Sequence, residues 1–267
     1  YIDDMGVHSK GWKRHLEDLV AYLTIIRKAN LTLNLKKCSF AQSELKMVGH
    51  IVGSGTHRPD PEKIAVIENL ERPTTKSDLR RMLGMFGYYR PYIPNFAEVA
   101  RPLTDLTGKD SPSEIPWGIQ PELAFTHLKR ALCSVPVMMA PRWGQPFFLQ
   151  TDASGKAVGC CLGQWDEGGG EHPVAYASQK LTPTQCNWAV IEREAYAVIW
   201  ALQKYKSVIW GADVKVYVDH NPLTFLVETA PKSAKLTRWL LALQEFPVKL
   251  EYKRGVEHKV PDCLSRL

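Results

Sequence analysis

The chain has 267 residues, of which 45% are hydrophobic and eight are tryptophan, so it can form one large domain or two to three small ones. This apolar content excludes intrinsic disorder as the default state. The formal net charge of +6 permits nucleic-acid binding but does not by itself indicate it.

Cysteine spacing and the length of the apolar runs exclude further classes. The six cysteines include no Cys-x-x-C pair, which indicates reduced thiols in an intracellular protein rather than a zinc site. The longest apolar run, residues 195–202, is far shorter than the roughly 18 residues of a membrane span. Because the first residue is Tyr1 and not Met, we expect a piece of a longer protein or a processed product.

Two adjacent acids, Asp3 and Asp4, lie in a predicted strand–turn–strand over residues 1–7. One interpretation is a hairpin tip that happens to be acidic, since acids are common in turns. The other is a pair of metal-binding carboxylates. The residues alone leave both interpretations open.

Hydrophobic periodicity and capping residues predict the next elements. Apolar residues at three- and four-residue steps indicate helices, and alternation of polar and apolar residues indicates strands. Asp60 and Thr75 are suitable N-cap residues. The elements predicted before the linker at residues 107–113 are a helix over 12–26, strands over 30–35 and 44–52, and helices that begin at Pro61 and Thr75.

Basic and aromatic residues are combined around the second of these capped helices. Arg80 and Arg81 lie off its apolar stripe, and Tyr89 and Arg90 follow its end. Aromatic rings beside arginines suit base stacking and phosphate contacts. A solvated basic face above core tyrosines fits the same residues equally well.

The second half of the chain predicts a mixed sheet with helices packed on it. The order is three strands, a long helix, and then strand, helix, strand and helix, and strand ends carry ligands in such folds. The elements predicted after the linker are a helix over 122–133, strands over 146–152, 158–164 and 173–178, a helix over 182–205, a strand over 214–218, a helix over 236–243, a strand over 248–252 and a last helix from Pro261.

Four acids in this half could converge on one face, namely Asp152, Glu194, Asp219 and Asp262. Converging carboxylates repel one another unless divalent cations bind between them, and carboxylate oxygens favour Mg²⁺ or Mn²⁺. Two such ions can stabilise the attacking and leaving oxygens of a phosphoryl displacement. Each acid also fits an ordinary turn or cap, and periodicity does not choose between Glu192 and Glu194.

Several motifs resemble those of reverse transcriptases. Tyr1-Ile2-Asp3-Asp4 matches the Tyr-x-Asp-Asp motif, and the sequence that follows is similar to the pol polyprotein of gypsy-type LTR retrotransposons. The resemblance covers essentially the whole chain. The further matching stretches are 47–52 for the primer grip, 58–64, 83–90 and 101–106 for the thumb, and 151–154, 192–195, 218–220 and 262–266 for the RNase H domain.

The resemblance implies an α/β (α+β) fold in four parts. These parts are the end of the palm over 1–57, a helical thumb over 58–107, a connection over 108–145 and an RNase H-like domain over 146–267, which is a mixed five-stranded sheet with flanking helices. The fingers and the palm strand with the first catalytic aspartate would lie upstream of Tyr1. We therefore expect no polymerase activity from this chain alone.

The resemblance also implies roles for individual residues. The RNase H ligands of two Mg²⁺ or Mn²⁺ ions would be Asp152, Glu194, Asp219 and Asp262, with Glu194 preferred to Glu192. The palm acids would be Asp3 and Asp4, with Asp3 the stronger candidate as a metal ligand. Primer and template contacts would come from Met47, Val48, Gly49, Arg80, Arg81, Tyr89 and Arg90. His258 could assist product release or be an ordinary loop residue.

The function implied is RNase H hydrolysis of the RNA strand of RNA–DNA hybrids within a reverse transcriptase. Its partners would be the hybrid, the primer–template and the rest of the polyprotein, with fingers and palm upstream and integrase downstream, and no membrane. The expected location is the cytoplasm, within virus-like particles. The alternatives are an inactive or co-opted relic that binds nucleic acid, and a nuclease for another substrate.

Overall fold

A computed structural model of the chain describes residues 5–134, 137–218 and 234–253. The chain divides into two compact units, Tyr1–Ser54 and Gly55–Leu267. Within the described ranges, no helix combines the length and the apolar character needed to cross a membrane.

The first unit contains a long helix and a hairpin. Helix α1, Trp12–Lys28, confirms the predicted helix. The prediction of a single strand over 44–52 is wrong. This stretch forms a hairpin, in which β1 (Glu44–Met47) pairs antiparallel with β2 (His50–Gly53). Val48 and Gly49 form the turn between them with φ of 49° and 73°, as the two-residue turns of twisted hairpins require.

Two other strands predicted in this unit do not form in its described part. Residues 5–7 have no regular structure, and residues 30–35 are irregular up to a 3₁₀ turn at Leu35–Lys37. Leu31 and Leu33 of the alternating stretch are exposed. Alternation predicts a strand only where a partner strand satisfies the backbone and one face is buried.

The second unit begins with a helical half whose predicted caps are confirmed. The Asp60 carboxylate accepts a hydrogen bond from the Glu62 N–H at 3.1 Å, and the Thr75 hydroxyl accepts one from the Asp78 N–H at 3.2 Å. The elements of this half are β3 (Thr56–Pro59), α2 (Pro61–Glu68), α3 (Lys76–Tyr88), a 3₁₀ turn (Arg90–Tyr92), α4 (Phe96–Val99), α5 (Arg101–Asp105), α6 (Ile119–Cys133) and β4 (Met138–Met139), which pairs with β3.

A mixed five-stranded sheet follows and confirms the predicted architecture. Its strands are β5 (Phe147–Ala153), β6 (Ala157–Trp165), β7 (Glu171–Lys180), β8 (Val214–Val218) and β9 (Val248–Tyr252). Their order across the sheet is β7-β6-β5-β8-β9. The first three are antiparallel, whereas β8 is parallel to β5 and β9 is parallel to β8.

The long helix predicted over 182–205 is divided in two. Thr182 and Gln185 form a capping box that starts the first piece. Glu192 then accepts a hydrogen bond from the Ala189 N–H at 3.3 Å and starts the second. The helices that flank the sheet are α7 (Pro183–Cys186), α8 (Val190–Lys204), α9 (Lys206–Ile209) and α10 (Ala234–Leu243).

Different parts of the chain cover the two faces of the sheet. Successive side chains of β5 point to opposite faces. Phe147 and Leu149 belong to the apolar cluster that contains Val198 of α8. Phe148 belongs to another cluster, which includes Phe86 of α3 and other residues of the helical half.

The helical half and the sheet therefore share one continuous core. Phe148 is fully buried, and its ring crosses β6 at Gly163, where an added Cβ would lie 2.1 Å from the ring. Only glycine leaves room for this crossing. This shared cluster contains residues from both sides of the predicted domain boundaries at 107/108 and 145/146. The division into palm, thumb, connection and RNase H-like domain stays a prediction.

Candidate active site

Asp152 lies near the carboxyl end of β5, directly opposite Gly159 of β6. The preceding residues of the strand are buried, whereas Asp152 is exposed. Alternation along β5 directs its side chain to the face opposite α8, the same face as Phe148. The strand thus presents one carboxylate to solvent at its end.

The two acids that periodicity left open, Glu192 and Glu194, occupy different environments in α8. Glu192 turns back to cap the helix at Ala189. Glu194 is only 4% exposed and lies on the buried stripe that continues with Ala197 and Val198. A carboxylate on such a stripe is costly for packing alone, so Glu194 is the better candidate for a functional acid.

A hydrogen bond from Arg193 links the start of α8 to the end of β5. Its guanidinium Nη1 donates to the Ser154 carbonyl oxygen at 2.7 Å. Asp152 precedes Ser154 by two residues, and Glu194 follows Arg193 directly. The bond therefore holds the start of α8, which contains Glu194, at the end of β5 where Asp152 lies. Sequence reasoning missed Arg193, whose only signal was its position between two acids.

The other predicted acids, Asp3, Asp4, Asp219 and Asp262, lie outside the described residues, as does His258. The described part of the chain contains no group of three or more His, Cys, Asp or Glu side chains that could hold a metal. Asp152 and Glu194 supply carboxylate oxygens, which are the hard donors that Mg²⁺ and Mn²⁺ prefer. The two described candidates therefore fit such an ion.

The predicted primer-grip residues Met47, Val48 and Gly49 form the tip of the first hairpin. Val48 is β-branched, and its φ of 49° lies in the left-handed region. This conformation costs such a residue roughly 1–2 kcal/mol. Strain at a tip agrees with a functional contact, and the role in primer binding stays a prediction.

The predicted thumb contacts Arg80 and Arg81 are exposed on α3. Arg80 donates to the Thr107 carbonyl oxygen at 2.8 Å. Arg81 pairs with Asp78 at 3.1 Å while 78% of its side chain stays exposed. Exposed pairs of this kind are weak, so these guanidiniums can exchange their partners for phosphates.

Tyr89 and Arg90, predicted with them, are used inside the protein. Tyr89 is 4% exposed and belongs to the shared core. The Arg90 guanidinium donates to the Ser178 carbonyl oxygen of β7. Their aromatic–basic pattern therefore serves packing of the helical half on the sheet in this structure, and their role in nucleic-acid binding stays a prediction.

A half-buried histidine, His57, joins three elements of the second unit. Its Nδ1 lies 2.8 Å from the Tyr92 hydroxyl, and its Nε2 lies 3.1 Å from the Val174 carbonyl oxygen. Because a carbonyl only accepts, Nε2 carries the proton, and Nδ1 accepts from Tyr92. Burial lowers the pKa of His57 below its ordinary value.

This lowered pKa predicts a loss of stability in acid. The unfolded chain binds a proton near pH 6.5, whereas folded His57 binds it only at lower pH. Stability from the neutral ring is therefore complete above about pH 6.5 and falls as the pH drops towards the folded pKa. In melting curves between pH 5 and 8, His57→Gln should show a shallower acid decline than wild type. His8→Gln, at an exposed position, is the control, and equal slopes for wild type and His57→Gln would contradict the prediction.

Comparison with known proteins finds similarity to segments of polyproteins. The model of the "RNase H-like domain found in reverse transcriptase" matches residues 142–246. Over 100% of its length, the chain is 38% identical to the retrovirus-related Pol polyprotein from transposon opus and 32% identical to that from transposon gypsy, both of Drosophila melanogaster. It is 31% identical to the Tf2-3 polyprotein of Schizosaccharomyces pombe. The chain spans 28%, 26% and 20% of these relatives.

Solved structures share the fold. A foamy viral protease-reverse transcriptase in complex with double-stranded DNA aligns with a TM-score of 0.78 and 23% identity, over 93% of this chain and 44% of that one. A foamy viral protease-reverse transcriptase in complex with an RNA/DNA hybrid aligns with a TM-score of 0.75 and 23% identity, over 93% of this chain and 34% of that one.

Proposed function

Because this chain belongs to the gypsy-type retrotransposon Pol polyproteins and contains their RNase H-like reverse transcriptase domain, we propose that it hydrolyses the RNA strand of RNA–DNA hybrids. The observation that carries the proposal is the hydrogen bond from Arg193 to Ser154. It joins the strand that ends near Asp152 to the helix turn that contains Glu194. Carboxylates that converge at the end of a sheet can hold the metal ions that cleave a phosphodiester.

The proposal gives distinct roles to the predicted metal ligands and to Arg193. The ligands of two Mg²⁺ or Mn²⁺ ions would be Asp152, Glu194, Asp219 and Asp262. When bound, the ions supply activation of water and stabilisation of the leaving 3′ oxygen. Asp152 is exposed, whereas burial restricts Glu194 to few rotamers. Arg193 maintains the position of α8 against β5.

Binding of the hybrid would depend mainly on backbone contacts. Proteins recognise such duplexes by groove shape, phosphates and 2′-hydroxyls. Arg80 and Arg81 provide exposed charges for phosphates, and the solved relatives bound to double-stranded DNA and to an RNA/DNA hybrid support a nucleic-acid partner. Polymerase roles for Asp3, Asp4 and the Met47–Gly49 tip would require the rest of the polyprotein, with palm upstream and integrase downstream.

The test is a cleavage assay with matched substrates. Purified wild type is incubated with Mg²⁺ and end-labelled RNA–DNA hybrid, RNA duplex or DNA duplex of one sequence. We expect cleavage of the RNA strand of the hybrid alone, loss of cleavage with a chelator, and recovery with Mg²⁺ or Mn²⁺. Cleavage of the DNA duplex would favour another nuclease. A folded protein that binds the hybrid without cutting it would favour a non-catalytic relic.

A further inference from the structure

The loop that precedes α4 reaches the sheet beside the predicted nuclease acids. A Cβ added to Gly159 would lie 2.2 Å from Oδ1 of Asn95. The Asn95 carboxamide therefore rests directly on the backbone of β6 at this glycine. Any side chain at position 159 would displace it.

Gly159 is the direct partner of Asp152 in the β5–β6 ladder. Directly opposed residues of antiparallel strands project to one face with their Cβ positions about 4.5–5.5 Å apart. Oδ1 of Asn95 therefore lies within about 8 Å of the Asp152 Cβ, on the face to which the Asp152 side chain points. A carboxylate extending from that Cβ is within reach of the carboxamide, directly or through one water.

The loop has a defined conformation on the sheet. Asn95 has φ of 48°, a left-handed conformation that asparagine tolerates better than most residues. Its carbonyl oxygen accepts from the Glu98 N–H at 2.9 Å, which starts α4. The Ala97 N–H donates to the Ser178 hydroxyl at 2.8 Å. Ser178 pairs with Gly159 in the β6–β7 ladder, so the loop is attached to the sheet row that includes Asp152.

We propose that Asn95 is a positioning residue of the nuclease site, contributed by the helical half, which orients the Asp152 carboxylate. This inference rests on the proposed function. An amide suits the task because its nitrogen, bonded to the same carbon as Oδ1, can donate a hydrogen bond to a carboxylate without adding a charge that would compete for cations. Nuclease activity would then require the helical half to be packed on the sheet.

The test removes the carboxamide while retaining the backbone. Asn95→Gly keeps the left-handed conformation, which glycine adopts without steric cost. Asn30→Gly is the matched control, because Asn30 is also left-handed, with φ of 54°, and lies in the first unit. The readouts are kcat and KM for hybrid cleavage, the melting temperature, and binding of Mn²⁺ alone by calorimetry.

For Asn95→Gly we expect kcat and Mn²⁺ affinity to fall by about 10-fold, the usual effect of losing a group that orients a metal ligand. The KM and melting temperature should match those of wild type, and Asn30→Gly should match it throughout. If wild type is active and Asn95→Gly has the same kcat and Mn²⁺ affinity, this inference is overturned while the proposed function stands. A lower melting temperature with unchanged Mn²⁺ affinity would also overturn it, because Asn95 would then act only in packing. An inactive wild type would overturn the proposed function as well.

Discussion

Glu194→Gln is expected to lower the rate of hybrid cleavage by about 10²- to 10³-fold, a loss typical of removing a preorganised charged group from a reaction centre. Glutamine has the shape of glutamate but cannot supply a charged ligand. Glu194 lies on the buried stripe of α8, at the helix turn that Arg193 links to the end of β5. The melting temperature should not fall, because the substitution replaces a buried carboxyl group with an amide of the same shape.

Glu192→Gln is the matched control for this prediction. It makes the same chemical change in the same helix, but Glu192 accepts the Ala189 N–H as a cap, and the glutamine amide oxygen can accept the same bond. Cleavage should stay within about twofold of wild type, and stability within about 0.5 kcal/mol. Asp152→Asn, purified in parallel, should lose activity like Glu194→Gln and so excludes a contaminating nuclease. Equal rates for wild type and Glu194→Gln would remove Glu194 from the site.

Phe148→Ala is expected to destabilise the second unit by about 3–5 kcal/mol, as usual for truncating a buried phenylalanine. The ring is fully buried, lies 5.1 Å from the centroid of Trp165, and belongs to the cluster that includes Phe86 of α3. Because this core spans the helical half and the sheet, both should unfold in one transition at lower urea concentration. Circular dichroism and tryptophan fluorescence should report the same midpoint.

The control is Trp143→Ala, which removes a larger ring that is 70% exposed. It should change stability by less than about 0.5 kcal/mol. Two separate transitions, with only the later one shifted by Phe148→Ala, would show that the halves unfold independently. That result would support a structural boundary near residue 146, where the resemblance predicts one.

Local signals were sufficient for the elements that depend on local interactions. Thr75 caps α3 through a hydrogen bond to a residue three positions away, and the stripe of α1 repeats every three to four residues. The wrong predictions concern strands, which depend on a partner strand or on unusual backbone conformations. Val48 is a poor candidate for a left-handed turn position, so the β1–β2 hairpin was predicted as one strand.

The candidate site also combines residues that local patterns predict with residues that only long-range contacts identify. The position of Asp152 at a strand end followed from the apolar run before it, and the choice of Glu194 over Glu192 followed from the resemblance, because periodicity alone left the two glutamates open. The burial of Glu194 and the cap made by Glu192 distinguish them in the structure. Arg193 gave no signal beyond its position between two acids, and Asn95 gave none, because their contacts, with Ser154 and Gly159, join residues far apart in the chain.

The sequence by itself determined the resemblance to a family and the mixed five-stranded sheet, and it predicted the acids that could bind metal, because motifs, caps and hydrophobic periods are local properties of the chain. Tertiary structure alone decided which face of the sheet the helical half covers and which face α8 covers. Burial of Phe148 places the helical half on the sheet, and that packing brings Asn95 to Gly159, opposite Asp152. Such proximity follows from long-range packing, which no local pattern encodes.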